Sequence, residues 1–317
     1  MRFKYLVVGM AVIIAGAGVY LLMQNTNQHG LQEGRIVSWG DDSRRQVSDT
    51  PSGQDFVDIS AGYRHSIALR ADGTIAAWGT DGDGQVRDVP EGDDFIAVDA
   101  GNEHNIALRN DGTIAYWGWD YMIEDEFAEG MIPRTDGFVE ISAAGTHSLA
   151  LHQDGSITAW GWDLNGLVSD TPEGNDFIAI SAGANHNLAL REDGSIVAWG
   201  DDMLGSVNDT PQDSGYIAIA AGARHSLALR EDGSIAAWGW DLQNEISDTP
   251  EGTGFKAISA GYTHSLAIRE DGSIVAWGWE RNDAGQIAEV PEGTGFYQID
   301  AGFFHNMALK APDKPSE

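Results

Sequence analysis

SAGANHNLALREDGSIVAWG, residues 181–200, decides the fold. A β-rich run from Phe177 to Ala182 leads into it, and Gly183-Ala184-Asn185 turns the chain. His186 to Arg191 reads as a second strand, with apolar Leu188 and Leu190 alternating against polar positions. Asp193-Gly194 is a strong hairpin dipeptide because both residues tolerate positive φ. Ser195 to Trp199 makes a third strand, and the loop after it leads to an expected short outer strand around Val207. Beyond residue 23 no stretch carries a 3.6-residue apolar period, so helices are not expected there.

The same stretch returns along the whole chain. Its Trp-Gly pair starts at Trp39, Trp78, Trp117, Trp160, Trp199, Trp238 and Trp277, in steps of 39, 39, 43, 39, 39 and 39. A histidine keeps the beat at His65, His104, His147, His186, His225, His264 and His305. A fixed period of this size, built of short β runs and turn dipeptides, marks a propeller. The first copy begins at Gly34-Arg35-Ile36-Val37-Ser38-Trp39-Gly40 without its two inner strands, and the last stops after His305 to Lys310. Joined, the two ends complete one blade and remove the exposed sheet edges. The expected architecture is all-β: a seven-bladed β-propeller of four-stranded blades over residues 34–310, closed by N- and C-terminal strands, with 311–317 as a C-terminal tail.

Charge is one-sided, at −31 with a pI near 4.3. That disfavours nucleic acid and anionic headgroups, which need basic surfaces. With no cysteine, the chain has neither disulfides nor a thiolate nucleophile or ligand. At the amino terminus Arg2 and Lys4 precede an uncharged apolar run from Tyr5 to Met23, and no basic residue follows between Gln24 and Gly34. As a helix this run would span roughly 28 Å, enough for a bilayer core. The positive-inside tendency then places residues 1–4 in the cytoplasm, 5–23 across the membrane as a signal anchor, 24–33 as a linker and the propeller in the periplasm or outside the cell. The alternative is a secreted chain cleaved near Ala15-Gly16-Ala17, a small-x-small site.

The pattern SAGxxHSLALREDGSIVAWG, seven times in register over residues 34–310, resembles the regulator of chromosome condensation repeat. The resemblance implies a seven-bladed propeller, matching the count above. The 39-residue period is similar to the short bacterial type, which includes secreted propellers that inhibit β-lactamases. Ala144 stands where the other copies have glycine.

Most repeated residues serve the fold. Seven histidines at one strand position are spread around a ring and are expected to be packed and hydrogen-bonded, not gathered as metal ligands. The seven tryptophans of the Trp-Gly pairs pack blade on blade. Two residues after each Trp-Gly glycine stands an acid: Asp42, Asp81, Asp120, Asp163, Asp202, Asp241 or Glu280. These are expected to cap their own loops as Asx-turns. Asp81-Gly82-Asp83-Gly84-Gln85 lacks the distal ligand of a calcium loop, so no metal and no cofactor is expected.

Loops sort onto two rims. The Gly-x-x-His turns and the loops after Trp-Gly share one, here called the top; the Asp-Gly turns share the other. Bottom loops are near-identical and acidic, as in Arg191-Glu192-Asp193-Gly194, whereas top loops vary. Candidate protein-binding residues are therefore Tyr63, Arg64, Trp119, Tyr121, Trp162, Arg224, Trp240, Tyr262, Trp279, Phe303 and Phe304, since aromatics and arginine commonly carry interface energy. No phosphate loop, nucleophile–base pair or asymmetric His–carboxylate cluster stands out, so no catalytic residue is assigned. The expected function is a non-catalytic, membrane-anchored platform for a protein partner outside the cytoplasm. Two alternatives remain: an inhibitor of an extracytoplasmic enzyme, implied by the resemblance, and a hydrolase or other enzyme with a site at the central channel.

Overall fold

A computed structural model describes residues 12–15, 18–21, 32–119, 132–280 and 283–312. Each repeat folds as an antiparallel sheet of inner, middle and outer strand, ordered from the ring axis outward. Blade 1 is Phe56–Ala61, His65–Arg70 and Ile75–Gly79; blade 2 is Phe95–Ala100, His104–Arg109 and Ile114–Gly118; blade 3 is Phe138–Ala143, His147–His152 and Ile157–Gly161. Blade 4 is Phe177–Ala182, His186–Arg191 and Ile196–Gly200; blade 5 is Tyr216–Ala221, His225–Arg230 and Ile235–Gly239; blade 6 is Phe255–Ala260, His264–Arg269 and Ile274–Gly278. Blade 7 joins the two ends of the array: Phe296–Ala301 and His305–Lys310 pair with Arg35–Gly40, in the register His305 to Gly40 and Lys310 to Arg35. Neighbouring inner strands touch all the way round, from blade 7 to blade 1 included. The expected seven blades and terminal latch are both present.

Among the described residues the expected fourth strand is absent. The segment around Val207 forms turns and a short 3-10 turn over Met203–Gly205. The cause lies in the loop acids. Asp202 Oδ1 accepts the amides of Val207 and Asn208, and Asp42, Asp81, Asp163 and Asp241 accept the equivalent pairs in their own loops. Amides held by a side chain are lost to a ladder. In the last loop Asp283, not Glu280, takes this part, accepting from Ile287 and Ala288. Asp120 lies outside the described residues.

Middle strands are buried on both faces because each is sandwiched between two blades. Leu188 and Leu190 fill one side, Asn187 and Ala189 the other, so the alternation is large against small and not apolar against polar. At the bottom of each blade a long cation or His152 covers the first inner-strand aromatic. The Arg109 guanidinium lies 4.3 Å from the Phe95 ring centre and pairs with Asp94.

The amino-terminal segment departs from expectation. Val12–Ala15 and Gly18–Leu21 are strands, paired as an antiparallel hairpin. One lies against the inner strands of blades 1 to 3, the other against those of blades 5 to 7, so the hairpin sits within the channel. The expected helix over 5–23 is not formed in this part, and among the described residues no helix is long and apolar enough to cross a membrane. Val12, Ile13, Ile14 and Val19 are β-branched strand formers. The rest of 5–23 lies outside the described residues.

Candidate functional site

The top rim is fixed by the repeated histidines just beneath it. His65 Nε2 bonds Asn105 Oδ1 of the next blade at 2.7 Å, and the relay continues through His104–Ser148, His147–Asn187, His186–Ser226, His225–Ser265, His264–Asn306 and His305–Ser66. The last bond closes the circle across the two chain ends. Asn105, Asn187 and Asn306 each donate their amide to a carbonyl, to Gln85, Leu167 and Gln286 respectively. Their Oδ1 must therefore accept, so the partner histidine carries its proton on Nε2. Burial pushes these histidines down, His65 to about 4 and His305 to about 3, which keeps them neutral in the fold. Six of the seven Trp-Gly tryptophans donate Nε1–H to a carbonyl in the preceding loop, for example Trp78 to Gln46 at 2.8 Å. For the seventh, Trp160, the equivalent loop position falls outside the described residues.

Each Gly-x-x-His turn is closed by a backbone bond such as Gly62 N–H to His65 C=O at 2.9 Å. A Cβ on Gly62 would lie 2.5 Å from the His65 ring and 2.7 Å from the Gly101 carbonyl, so the position has room only for glycine. In six of the seven blades the residue after Trp-Gly then donates to the second x residue of its own blade, as Trp240 N–H does to the Arg224 carbonyl at 2.9 Å. That bond brings the two variable positions of a blade together.

The candidate residues fall into separate groups. The largest spans blades 6, 7 and 1. Tyr262 stacks on Phe303 at 3.7 Å between ring centres, Tyr63 meets the edge of Phe303 at 4.4 Å, and Phe304 packs at 4.6 Å from Phe303. Arg64 lies over Tyr63 at 5.0 Å. All five are half-buried, with part of each surface facing solvent. Across the rim Trp119 and Trp162 approach to 5.8 Å, and Trp162 is 55% exposed. Arg224 lies 5.1 Å over Trp240. Trp279 is half-buried with its amide on the Thr263 carbonyl, and Tyr121 lies outside the described residues. The sequence reading missed a run of exposed apolar side chains beside these: Leu164, Met203, Leu204 and Leu242, the last 76% exposed. The signal was available, since Leu164, Met203 and Leu242 each stand directly after the capping aspartate.

A second feature went unread. Four carboxylates occupy inner-strand positions three and five, Asp58, Asp99, Glu140 and Asp300, all buried, and Asp99 and Asp300 line the channel mouth. The repeat is thus broken asymmetrically, with acids on blades 7, 1, 2 and 3 where most copies carry Ala or Ser. The sequence reading looked for histidine together with carboxylate and so did not single out these acids, which stand without a histidine. Burial raises Asp58 and Asp99 to about 7 and drives Glu140 and Asp300 well up; Asp99 and Asp58 add repulsion at Asp300. Each acid accepts an amide of the next blade: Asp58 from Val98, Asp99 from Ala143, Glu140 from Ile180 and Asp300 from Ala61. At position five a serine does the same work in other copies, as when Ser181 Oγ accepts from Ala221 at 2.9 Å. Ser60 Oγ lies between two of the acids, 2.7 Å from Asp99 and 3.3 Å from Asp300.

Comparison with known proteins agrees with this architecture. The profile of the Regulator of chromosome condensation (RCC1) repeat matches residues 56–85, 177–202, 216–244 and 255–286. Yeast RCC1 (Prp20), solved with Kap60 bound, superposes with a TM-score of 0.74 over 99% of this chain and 96% of its own, at 18% identity. Human WBSCR16 gives 0.70 over 89% and 100%, at 14% identity, and the ectodomain of the Physcomitrella patens receptor kinase CR4 gives 0.66 over 85% and 73%, at 20%. No curated protein matches the chain in sequence. At these identities the likeness is one of fold.

Proposed function

Taking the chain as a propeller of regulator of chromosome condensation repeats, we propose that it is a non-catalytic docking platform whose top face binds a protein. The observation that carries this reading is the five-residue patch of Tyr63, Arg64, Tyr262, Phe303 and Phe304, contributed by three adjacent blades and half-open to solvent. Aromatic side chains with an arginine at the rim supply large contact area at low entropic cost. The like-folded yeast Prp20 is described as binding Gsp1p and histones, which is consistent with protein docking as a use of such a ring. The channel acids support a non-catalytic reading, because each is committed as an acceptor between blades.

The test is affinity capture from native extracts by the wild-type chain and two variants. One replaces Tyr63, Tyr262, Phe303 and Phe304 with serine; the other replaces the exposed Ile96 and Ile178, near the bottom rim, with serine. A protein held by the wild type and the bottom variant but lost by the top variant is the expected result. Loss from the bottom variant alone would overturn the reading.

The finer part of the proposal is the setting. We place the propeller outside the cytoplasm, tethered by residues 5–23, on the strength of the Arg2 and Lys4 flank and the apolar run. In that setting the strands Val12–Ala15 and Gly18–Leu21 would give up their contacts with the inner strands for the bilayer. Membrane fractionation with protease added outside the inner membrane tests it: the propeller should sediment with membranes and be cut, and a soluble, protected chain would refute the placement.

A further inference from the structure

The top mouth of the channel is a cavity of about 70 Å³ to which all seven blades contribute. Its wall on one side is aromatic, from Tyr262 and Phe303, and two buried carboxylates, Asp99 and Asp300, also line it. The volume narrows the choice of occupant. It exceeds the ~10–15 Å³ that holds one water but is far below the ~300–1,000 Å³ of a small-molecule site. With Val12–Ala15 and Gly18–Leu21 in the channel, as in the purified chain, the mouth therefore takes one end group and not a whole metabolite.

The lining says which end group. Serine suffices for the bond between blades at Ser60, Ser142, Ser181 and Ser259. Aspartate at 99 and 300 exceeds that need. Asp300 satisfies the Ala61 amide with Oδ2, and its Oδ1 has only a long contact, 3.4 Å from Ser259 Oγ. Spare carboxylate oxygen beside aromatic rings favours a compact cation, held by charge and by the ring quadrupoles. A net charge of −31 draws such a group toward the chain.

We propose that the channel mouth binds a single alkylammonium group, the side chain of a lysine presented by the docked protein, with Tyr262 and Phe303 as its wall and with Asp99 and Asp300 releasing their protons to solvent as the cation enters and so becoming its counter-charges. This rests on the docking reading for its source, since a lysine must be delivered from a surface seated on the aromatic patch. A guanidinium is the larger group for a mouth of this volume, and the test compares the two.

The experiment titrates n-butylammonium into the purified full chain and follows the Tyr262 and Phe303 ring resonances by NMR. n-Butanol, a neutral probe of similar size, and ethylguanidinium serve as comparisons. Saturable shifts with butylammonium, at least about tenfold weaker with the other two, are expected. Asp300→Ser and Asp99→Ser restore the residue that other blades carry, so both should fold. Each should weaken butylammonium about tenfold. Equal shifts with butanol, stronger binding of ethylguanidinium, or unchanged affinity in both serine variants would overturn the proposal. Failure of the two readings is separable. Partner capture without ammonium binding removes the pocket and leaves the platform; ammonium binding without capture does the reverse.

Discussion

Tyr63, Arg64 and His65 are consecutive in the chain, yet they answer to different demands. His65 is fully buried, bonded across to the next blade, and has a counterpart in all seven repeats. Tyr63 and Arg64 sit on the turn just above it, half-exposed, and their counterparts run from Gly145-Thr146 to Phe303-Phe304. The turn backbone is the same in each case, closed by a bond to the histidine carbonyl from the amide three residues before it. What differs is whether a neighbouring blade needs the side chain. The ring fixes the histidine and leaves the two residues before it free, and that freedom is where binding chemistry can collect.

If the histidines bear the ring, acid should break it most. Their folded protonation lies near 3 to 4 where burial is complete, whereas an unfolded chain takes up protons near ~6.5. Below that value the unfolded chain binds more protons, so stability falls as pH drops from about 6.5 toward 4. The channel acids work the other way. With Asp58 and Asp99 held near 7, their contribution is present at low pH and is lost as pH rises through 7. Seven histidines against four acids leave a net acid loss. The melting temperature should peak near neutrality and fall steadily to pH 4, and a flat profile would contradict the histidine account. A quadruple variant carrying D58A, D99S, E140A and D300S removes the opposing contribution and should steepen the fall.

A single break comes next. His225→Ala, inside the array, removes a buried ring and its bond to Ser265, at about 3 kcal/mol. His305→Ala removes the same bond to Ser66 across the latch and should cost about the same if the ring is uniform. Denaturant unfolding of both variants checks this, and a far larger loss at 305 would show that closure carries more than one blade contact. Trp78→Phe removes part of a buried ring and leaves the Gln46 carbonyl without its donor, for about 2 kcal/mol in the same assay. Smallest is Asp241→Ala. Global stability should hardly change, while hydrogen exchange at the Ile246 and Ser247 amides rises about tenfold. Unchanged exchange there would remove our reason for the missing fourth strand.

Much of this was legible from periodicity. The Trp-Gly and histidine beats located every blade and the latch between Arg35–Gly40 and His305–Lys310, because each blade must repeat the contacts of the last. Three features escaped for physical reasons. The outer strand was expected from β-like composition, but capping by Asp202 and its counterparts is a side-chain effect that composition does not show. Within the run 5–23, Val12–Ala15 and Gly18–Leu21 are rich in β-branched residues, which suit a strand as well as an apolar helix, so apolarity did not reveal the hairpin. Asp99 and Asp300 lie far apart in the chain and meet only because the ring closes, with Ser60 between them. The grouping of Tyr262, Phe303 and Tyr63 has the same origin, as the latch places blades 6, 7 and 1 side by side.

The most direct test of the contrast between ring and rim is thermal unfolding of the chain with Tyr63, Tyr262, Phe303 and Phe304 all changed to serine, run beside His225→Ala. The account predicts that four changes on the rim lower the melting temperature by no more than about 5 °C, less than the one change in the ring, which at ~3 kcal/mol corresponds to about 6–12 °C. A rim variant that unfolds earlier than His225→Ala would contradict it, and would make the aromatic patch part of the core instead of a binding face.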